Sequence, residues 1–292
     1  MHAPAMRSVG IVTLASILLV PFTLAIPIVD QFLAPGGYRR GANMMAVPLG
    51  GRLTHVGSDI HVMSANGTVV HIATPKPLGS PTATAVSPEQ TGWITYASWL
   101  NNLGVPIGSF GTNWIVPPVP ASQHGQTIFL FNSIEPGTFD GIMQPVLQYG
   151  PSAAGGGAFW AVATWYLLQD QTFFTTPVKV NPGQNLRGAL SLVGSSGTTF
   201  NYHAGFTNVA GTELDINGSP QLEWATLTLE AYGVTAASDY PLGSTAFTSV
   251  GLELENGARP AISWSTVNDA PDGLSTTINV GGSVNAVVTI KY

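Results

Sequence analysis

The sequence contains no cysteine and few charged residues. Without cysteine there can be no disulfide, no thiolate nucleophile and no cysteine-ligated metal. Charged residues make up 8% of the 292 positions, against about a quarter in typical soluble proteins. From residue 90 onward four basic residues face twelve acidic ones. A phosphate-binding surface, and with it a nucleic-acid partner, is therefore not expected.

Motifs for common catalytic sites are also missing. The sequence has no HExxH, no GxSxG, no Walker loop and no EF-hand spacing. A serine triad would need His124 or His203 as its base, and each is isolated beside a turn, which is typical of a surface residue. His55, His61 and His71 fall in a weakly alternating stretch without a carboxylate cluster, which predicts a short hairpin with exposed histidines. We therefore expect neither a metal nor a cofactor.

What the sequence does contain is typical of a turn-rich β protein. Hydrophobic residues make up 45% of the chain, which also has 34 glycines and 22 prolines. From Trp93 onward, eleven short β-rich runs alternate with turn signals, and no run has convincing helical periodicity. No repeat of 20 to 50 residues is evident, which argues against a propeller or solenoid. The prediction is an all-β fold, an antiparallel β-sandwich.

The N-terminus resembles a targeting segment. Arg7 precedes an apolar run over residues 9–28, and residues 23–25, TLA, fit a small-x-small cleavage site. We predict a signal peptide over residues 1–25 and a secreted, extracellular protein. The alternative is an uncleaved N-terminal membrane anchor, because a spanning helix needs about 20 residues.

The rest of the chain divides by composition. Residues 26–88 are rich in glycine, proline and small polar residues, which predicts a pro-segment or linker region. Residues 89–292 carry the strand pattern and are predicted to form the β-sandwich domain. We expect this domain to be a monomer.

The acidic residues fall into two groups. Those of the first group neighbour glycine, asparagine, serine or proline and are predicted to be solvated turn residues: Asp215, Asp239, Glu255, Asp269 and Asp272. Glu135, Glu223 and Glu230 instead lie among apolar strand residues, where an ionised carboxylate is costly unless it is paired or hydrogen-bonded. With few cations in the chain, these three are candidates either for a raised pKa and acid-base chemistry or for a hydrogen-bonded structural role.

Strand alternation separates two of these glutamates. In LEWATLTLEAYGV, residues 222–234, one face carries Trp224, Thr226, Thr228, Glu230 and Tyr232, and the other carries Glu223, Leu227 and Leu229. Glu230 therefore shares a face with polar and aromatic side chains, whereas Glu223 shares a face with leucines.

The same rule places two glutamines together. In IMQPVLQYG, residues 142–150, Gln144, Val146 and Gln148 share one face. Buried amides need hydrogen-bond partners, and a substrate is one such partner.

Several short stretches, in order, resemble the eqolisin, or glutamic peptidase, family. TNWIVPPVP is similar to the family strand ending in TVP, FNSIE lies where the family has VGID, and VLQYG resembles ILQTG. FWAVATWYL resembles AWYEWYP, VNPGQNL resembles the pGD turn, and TAFTSV resembles FGTVTF. LEWATLTLEAYGV is similar to the strand that carries the catalytic glutamate. The resemblance covers roughly residues 105–250.

The resemblance implies a concanavalin A-like sandwich of eqolisin type and an endopeptidase acting on polypeptides, with best activity in acid. By position, Gln148 corresponds to the catalytic glutamine that stabilises the oxyanion. The catalytic glutamate that activates water corresponds to Glu230, or alternatively to Glu223. We expect substrate-binding roles for Gln144, Glu135, Trp165 and Phe131.

The alternative is a noncatalytic β-sandwich module that binds glycan or protein at a surface, because a fold does not settle a function. The seven tryptophans could supply a stacking platform for sugar rings, although most are expected to be packing residues. A glycosidase would need two facing carboxylates about 5–9.5 Å apart. Glu135 and Glu230 are the candidates for that pair.

Overall fold

The fold consists almost entirely of β-strands. The computed structural model describes residues 30–77 and 92–292. In chain order the strands are β1 Gln31–Ala34, β2 Gly37–Arg40, β3 Met44–Ala46, β4 Arg52–Val56, β5 Asp59–Met63, β6 Val69–Ala73, β7 Trp93–Leu100, β8 Ile107–Ile115, β9 Thr127–Glu135, β10 Gly141–Ser152, β11 Gly155–Leu168, β12 Gln171–Phe174, β13 Val178–Lys179, β14 Asn185–Ser196, β15 Thr199–Phe206, β16 Leu214–Ser219, β17 Trp224–Tyr232, β18 Ser244–Leu254, β19 Ser265–Val267, β20 Ser275–Val280 and β21 Ala286–Lys291. Over the described residues the helical elements are short 3-10 turns, including Gly41–Asn43 and Ala237–Asp239. The prediction of an all-β fold is confirmed.

The strands form two large sheets. The front sheet has the order β19-β7-β17-β9-β10-β11-β12-β3, with β13 also pairing with β11. The back sheet has the order β20-β21-β18-β8-β14-β15-β16-β4-β5-β6. Within the described ranges two contacts, β12 with β3 and β16 with β4, are parallel, and the other strand pairs are antiparallel. The architecture is a β-sandwich, as predicted.

The main hydrophobic core lies between the two sheets. Leu130, Leu147 and Leu227 of the front sheet are fully buried there, and the back sheet contributes side chains such as Trp114 and Tyr202. These front-sheet residues alternate with those that face the other way. That periodicity is what identified the strands in the sequence.

The outer face of the front sheet, the face turned away from the back sheet, is also apolar and buried. A second cluster there includes Phe129, Phe131, Val146 and Trp165, and Ala34 of β1 packs into it. The small hairpin of β1 and β2, called here the N-terminal hairpin, covers this face. Strands buried on both faces read as continuous apolar runs, which explains why β9 and β10 look so hydrophobic.

Residues from the predicted pro-segment or linker are part of both sheets. β3 pairs with β12 in the front sheet, and β4 pairs with β16 in the back sheet. The sandwich therefore extends beyond the predicted boundary at residue 89. The predicted signal peptide or anchor, residues 1–25, and the Pro-rich end of the linker, residues 78–88, lie outside the described residues.

Among the described residues, no helix has both the length and the apolar character needed to cross a membrane.

The prediction of exposed histidines was wrong for the segment containing β4 to β6. His55, His61 and His71 are half-buried. The ring Nε2 of His55 lies 3.0 Å from the hydroxyl of Tyr166, and burial lowers the pKa of His55 to about 4. The local sequence predicts an independent hairpin with exposed side chains. His55 is instead covered because β4 joins the back sheet and packs against the sandwich.

Asp239, predicted to be a solvated turn residue, is fully buried. Its carboxylate accepts hydrogen bonds from the Ser122 hydroxyl at 2.6 Å and from the backbone N–H of Thr235 at 2.8 Å. Burial alone would raise the pKa of Asp239, but these hydrogen bonds outweigh it and hold the pKa well below its usual range. The sequence correctly predicted a turn at Asp239. Whether that turn is exposed to solvent depends on partners such as Ser122, which is distant in the sequence.

Candidate functional site

Gln148 and Glu230 lie in one row across three neighbouring strands of the front sheet. Phe129 of β9 pairs with Gln148 of β10 on one side and with Glu230 of β17 on the other. Paired positions point to the same face of a sheet, so all three side chains project from the outer face. Two interstrand steps separate the backbones of Glu230 and Gln148 by about 10 Å. The floor of this face thus places a carboxyl group and an amide within reach of one ligand.

The carboxyl group of Glu230 is fully buried and accepts two short hydrogen bonds at one oxygen. Its Oε1 accepts from the hydroxyl of Tyr232 at 2.6 Å and from the backbone N–H of Gly36 at 2.7 Å. Its Oε2 accepts none among the described residues. Burial raises the pKa of Glu230 to about 8, although Tyr232, Gly36 and the charge of Arg39 oppose the shift. In this conformation the carboxyl is neutral over most of the physiological range.

The amide of Gln148 is held by the turn between β10 and β11. Its Nε2 donates to the carbonyl oxygens of Gly150 at 2.7 Å and Gly155 at 2.9 Å, and its Oε1 accepts from the Ser152 hydroxyl at 2.9 Å. Gly156 leaves the space that this amide fills, because a Cβ there would collide with Nε2. To donate to a ligand, the amide must release one of the two carbonyls.

The structure brings the four predicted substrate-binding residues to the same face. Phe131 and Trp165 belong to the outer apolar cluster, where Trp165 packs on Phe174 with ring centroids 4.8 Å apart. Gln144 is buried two positions from Val146, and its Oε1 accepts no hydrogen bond from the described residues. Glu135 is fully buried at the end of β9. All four are inaccessible to a ligand in this conformation.

The two other glutamates lie far from the row. Glu223 immediately precedes β17, is half-buried, and is seven residues from Glu230, or roughly 23 Å along an extended strand. Glu135 pairs with Trp224, six residues from Glu230, or roughly 20 Å. This spacing excludes Glu135 and Glu230 as the facing pair of a glycosidase. Glu230 is the glutamate that shares a row with Gln148.

Half-buried aromatic rings cluster beside this row, beginning with Trp93 of β7, which pairs with Glu230. Trp93 and Trp224 are stacked, with centroids 5.8 Å apart and planes 12° apart. Tyr96 packs edge-on against both rings, and Phe139 packs edge-on against Trp224. Burial, and second the charge of Glu135, raise the pKa of Tyr96. The cluster presents partly accessible aromatic surface next to the buried polar row.

His124 does not form a serine-type triad. Its Nδ1 lies 2.8 Å from Asp239 Oδ1 and 2.9 Å from the Thr235 hydroxyl, so the carboxylate and the hydroxyl meet the same ring nitrogen. A triad needs the acid on one nitrogen and the nucleophile on the other. His203 pairs with Asp215 at 2.6 Å on the surface. Both histidines are about half exposed, as the sequence indicated.

Gly36, Arg39 and Tyr232 surround Glu230 but received no role from the sequence. Tyr232 was predicted to share the face of Glu230, and the tyrosine-carboxyl bond follows from that two-residue spacing. The APGGYRR stretch, residues 34–40, signals a tight turn followed by basic residues. Nothing in the neighbouring sequence indicates that this turn contacts Glu230 on β17, 194 positions away.

No group of three or more histidine, aspartate or glutamate side chains in the described part of the chain is arranged to hold a metal ion.

Comparison with known proteins gives distant structural similarities only. No family model matches the sequence, and no curated protein matches it. A scytalido-glutamic peptidase bound to a peptide-based transition-state analogue has 12% identity and a TM-score of 0.46, over 68% of this chain and 98% of the peptidase. A second structure of that peptidase, with a transition-state analogue inhibitor, has 13% identity and a TM-score of 0.44, over 69% of this chain and 98% of that one.

A third structure is SCP-B, described as a member of the eqolisin family of peptidases, in complex with the tripeptide Ala-Ile-His. It has 11% identity and a TM-score of 0.44, over 68% of this chain and 98% of SCP-B. Similarities at this level do not place the chain in a family. The strand pairing of the chain itself establishes the sandwich.

Proposed function

We propose that this protein is an endopeptidase in which Glu230 activates water and Gln148 stabilises the oxyanion. The observation that carries the proposal is the cross-strand row: a buried carboxyl and a buried amide project from the same face, on two strands with one strand between them. The resemblance of VLQYG and LEWATLTLEAYGV to the eqolisin motifs supports the same pair of residues.

The chemistry requires only these two groups and water. The ionised carboxylate of Glu230 takes a proton from water as the water oxygen attacks the peptide carbonyl carbon. The amide N–H of Gln148 donates to the carbonyl oxygen as it becomes negative, once the amide has released Gly150 or Gly155. Glu230 then returns the proton to the leaving nitrogen, and the C–N bond breaks to give a carboxylic acid and an amine.

The proposal includes export as a secreted protein, which rests on the apolar run at residues 9–28 and on the small residues within it at positions 23–25. The alternative of an N-terminally anchored protein rests on the same run. The substrate class is polypeptide, because an extended chain can lie across a row of strand side chains and can hydrogen-bond with both groups, donating to Glu230 and accepting from Gln148.

The test is hydrolysis of a denatured protein by the purified chain from pH 2 to 8. Gln148→Ala should lower kcat/KM by about 10²–10³, the usual cost of losing one oxyanion donor. Gln184→Ala is the matched control, since Gln184 serves the turn that begins at Asn181, away from the outer face. Cleavage that Gln148→Ala leaves unchanged would contradict the assigned role.

A second candidate function, glycan binding without catalysis, is favoured by the half-buried aromatic cluster. The stacked Trp93 and Trp224 rings offer a flat surface of the kind that packs on sugar rings. Under this alternative Trp224→Ala should weaken binding of a neutral hexasaccharide such as cellohexaose by about tenfold, equivalent to about 1.4 kcal/mol.

Titration calorimetry on the wild type, Trp224→Ala and Gln148→Ala separates the two functions. Hexasaccharide affinity that depends on Trp224 but not on Gln148, without hydrolysis of protein substrates at any pH, would favour the binding module. Absence of affinity in the wild type removes this alternative.

A further inference from the structure

The N-terminal hairpin occupies the place that a substrate would need. Its tight turn puts Ala34 opposite Gly37, and Ala34 is fully buried among the outer-face side chains. The N–H of Gly36 donates to Glu230, and Gly36 has φ 79°, a conformation that glycine adopts readily. Glu230 is 0% exposed and Gln148 3% exposed beneath this cover. No polypeptide can reach either group while the hairpin stays in place.

Apart from the apolar packing of Ala34, the hairpin makes few hydrogen bonds to the other described residues. β1 and β2 pair with each other in a separate two-stranded sheet. Beyond the bond from Gly36 to Glu230, the hairpin is held by the N–H of Ala153, which donates to the Leu33 carbonyl at 2.7 Å, and by the edge-on contact of Tyr38 with Tyr232. The next strand, β3, is by contrast fixed to β12 by parallel pairing. The 3-10 turn Gly41–Asn43 is the connection between these two parts.

Several polar atoms buried between the N-terminal hairpin and the outer face have no hydrogen-bond partner among the described residues. Arg39 is 8% exposed, and its Nη1 donates to the Gly36 carbonyl, but its Nε and Nη2 have no hydrogen-bond partner among the described residues. The same holds for Glu230 Oε2, Gln144 Oε1 and the indole N–H of Trp165 on the outer face. Buried polar atoms without partners are costly, so this cover is held less tightly than a fully matched one. An extended polypeptide has the donors and acceptors that these groups lack.

We propose that the N-terminal hairpin is an intrachain flap that closes the substrate cleft and swings outward about Gly41–Asn43 while β3 stays paired with β12. Polypeptide substrate then takes the place of residues 34–37. This inference rests on the proposed function, in which Glu230 and Gln148 act on a polypeptide. It assigns residues 31–40 a regulatory role that does not require their removal.

Proton uptake couples to flap closure. The titratable and charged groups that act on Glu230 are Arg39 from the hairpin and Tyr232 from β17, and Tyr38 of the hairpin acts in turn on Tyr232. With the flap closed the pKa of Glu230 is about 8, and an exposed glutamate has a pKa of 4.5. The closed state therefore holds the proton more strongly. Its extra stability is fully present below pH 4.5 and is lost as the pH rises through 8. Acid keeps the flap closed, so acid activity is expected chiefly when the flap is displaced.

Thiol labelling tests the flap without relying on catalysis, because the natural chain has no cysteine. Val146→Cys places a thiol under the flap. Leu147→Cys, at the next position, places a thiol in the core between the sheets and serves as the control. Ala34→Asp would put a charge into the outer cluster and should displace the flap; Gln31→Asp makes the same kind of change at an exposed position of β1.

We expect Ala34→Asp to accelerate maleimide labelling of Val146→Cys by at least about tenfold, because burying an unpaired carboxylate costs more than the 1.4 kcal/mol that a factor of ten represents. Gln31→Asp should have little effect, and Leu147→Cys should stay protected in every background. Labelling of Val146→Cys, scaled to glutathione at each pH, should also be faster at pH 8 than at pH 5. Unchanged labelling in a folded Ala34→Asp protein overturns the flap.

Gly36→Pro is a second means of opening if Ala34→Asp does not fold. Proline removes the N–H that donates to Glu230 and cannot adopt φ 79°. In the hydrolysis assay at pH 4 to 5, either flap variant should exceed the wild type, whereas Gln31→Asp should match it. Rapid labelling of Val146→Cys without hydrolysis at any pH would leave the flap standing and overturn the peptidase. Hydrolysis that both flap variants leave unchanged would overturn the flap as a regulator.

Discussion

Glu230→Gln should lower kcat/KM for protein hydrolysis by about 10²–10⁴, the usual contribution of a positioned general base. The amide has the shape of the carboxyl but cannot take a proton from water. The substitution should leave the fold intact, because the buried carboxyl is already neutral below pH 8 and the amide oxygen can still accept from Gly36 and Tyr232. The measurement is steady-state hydrolysis, with thermal unfolding to confirm folding.

Glu223→Gln tests which glutamate is the general base. It makes the same chemical change at Glu223, the alternative position that the eqolisin resemblance allows. Glu223 immediately precedes β17, seven residues from Glu230, and is half-buried, so we expect hydrolysis close to the wild-type rate. The reverse pattern, with activity lost in Glu223→Gln and kept in Glu230→Gln, would move the general base to Glu223. Full activity in both variants would exclude a glutamate base at either position.

Phe129→Ala should lower the free energy of unfolding by about 3–5 kcal/mol, the usual cost of deleting a buried aromatic side chain. Phe129 is 0% exposed, lies between Glu230 and Gln148 in the row, and packs edge-on against Tyr232 at 6.4 Å. Its loss leaves a cavity beneath the N-terminal hairpin. Denaturant unfolding at pH 7 measures the effect.

Val193→Ala is the control, since its side chain is 63% exposed and should change stability by less than about 0.5 kcal/mol. A loss below about 1 kcal/mol in Phe129→Ala would be too small for a cavity in a packed cluster. That outcome would mean that the outer face of the front sheet is open to solvent in the protein at equilibrium, with the hairpin displaced most of the time.

Local sequence patterns were sufficient to predict strands and faces. Alternation put Gln144 and Gln148 on one face, and Glu230 on the polar and aromatic face of β17, and the structure has these arrangements. These predictions succeed because side-chain direction in a strand depends only on the two-residue period. The all-β class likewise follows from residue types and turn signals spread along the chain.

The sequence by itself determined which residues form strands and which side chains share a face of a strand, because both depend on neighbours within a few positions. The tertiary structure alone decided that β9 lies between β10 and β17, and so that Glu230 meets Gln148 across Phe129 rather than Glu135. It also decided that the turn at Gly36 covers Glu230, 194 positions away. Strand order and register arise from long-range pairing and packing, which no local periodicity encodes.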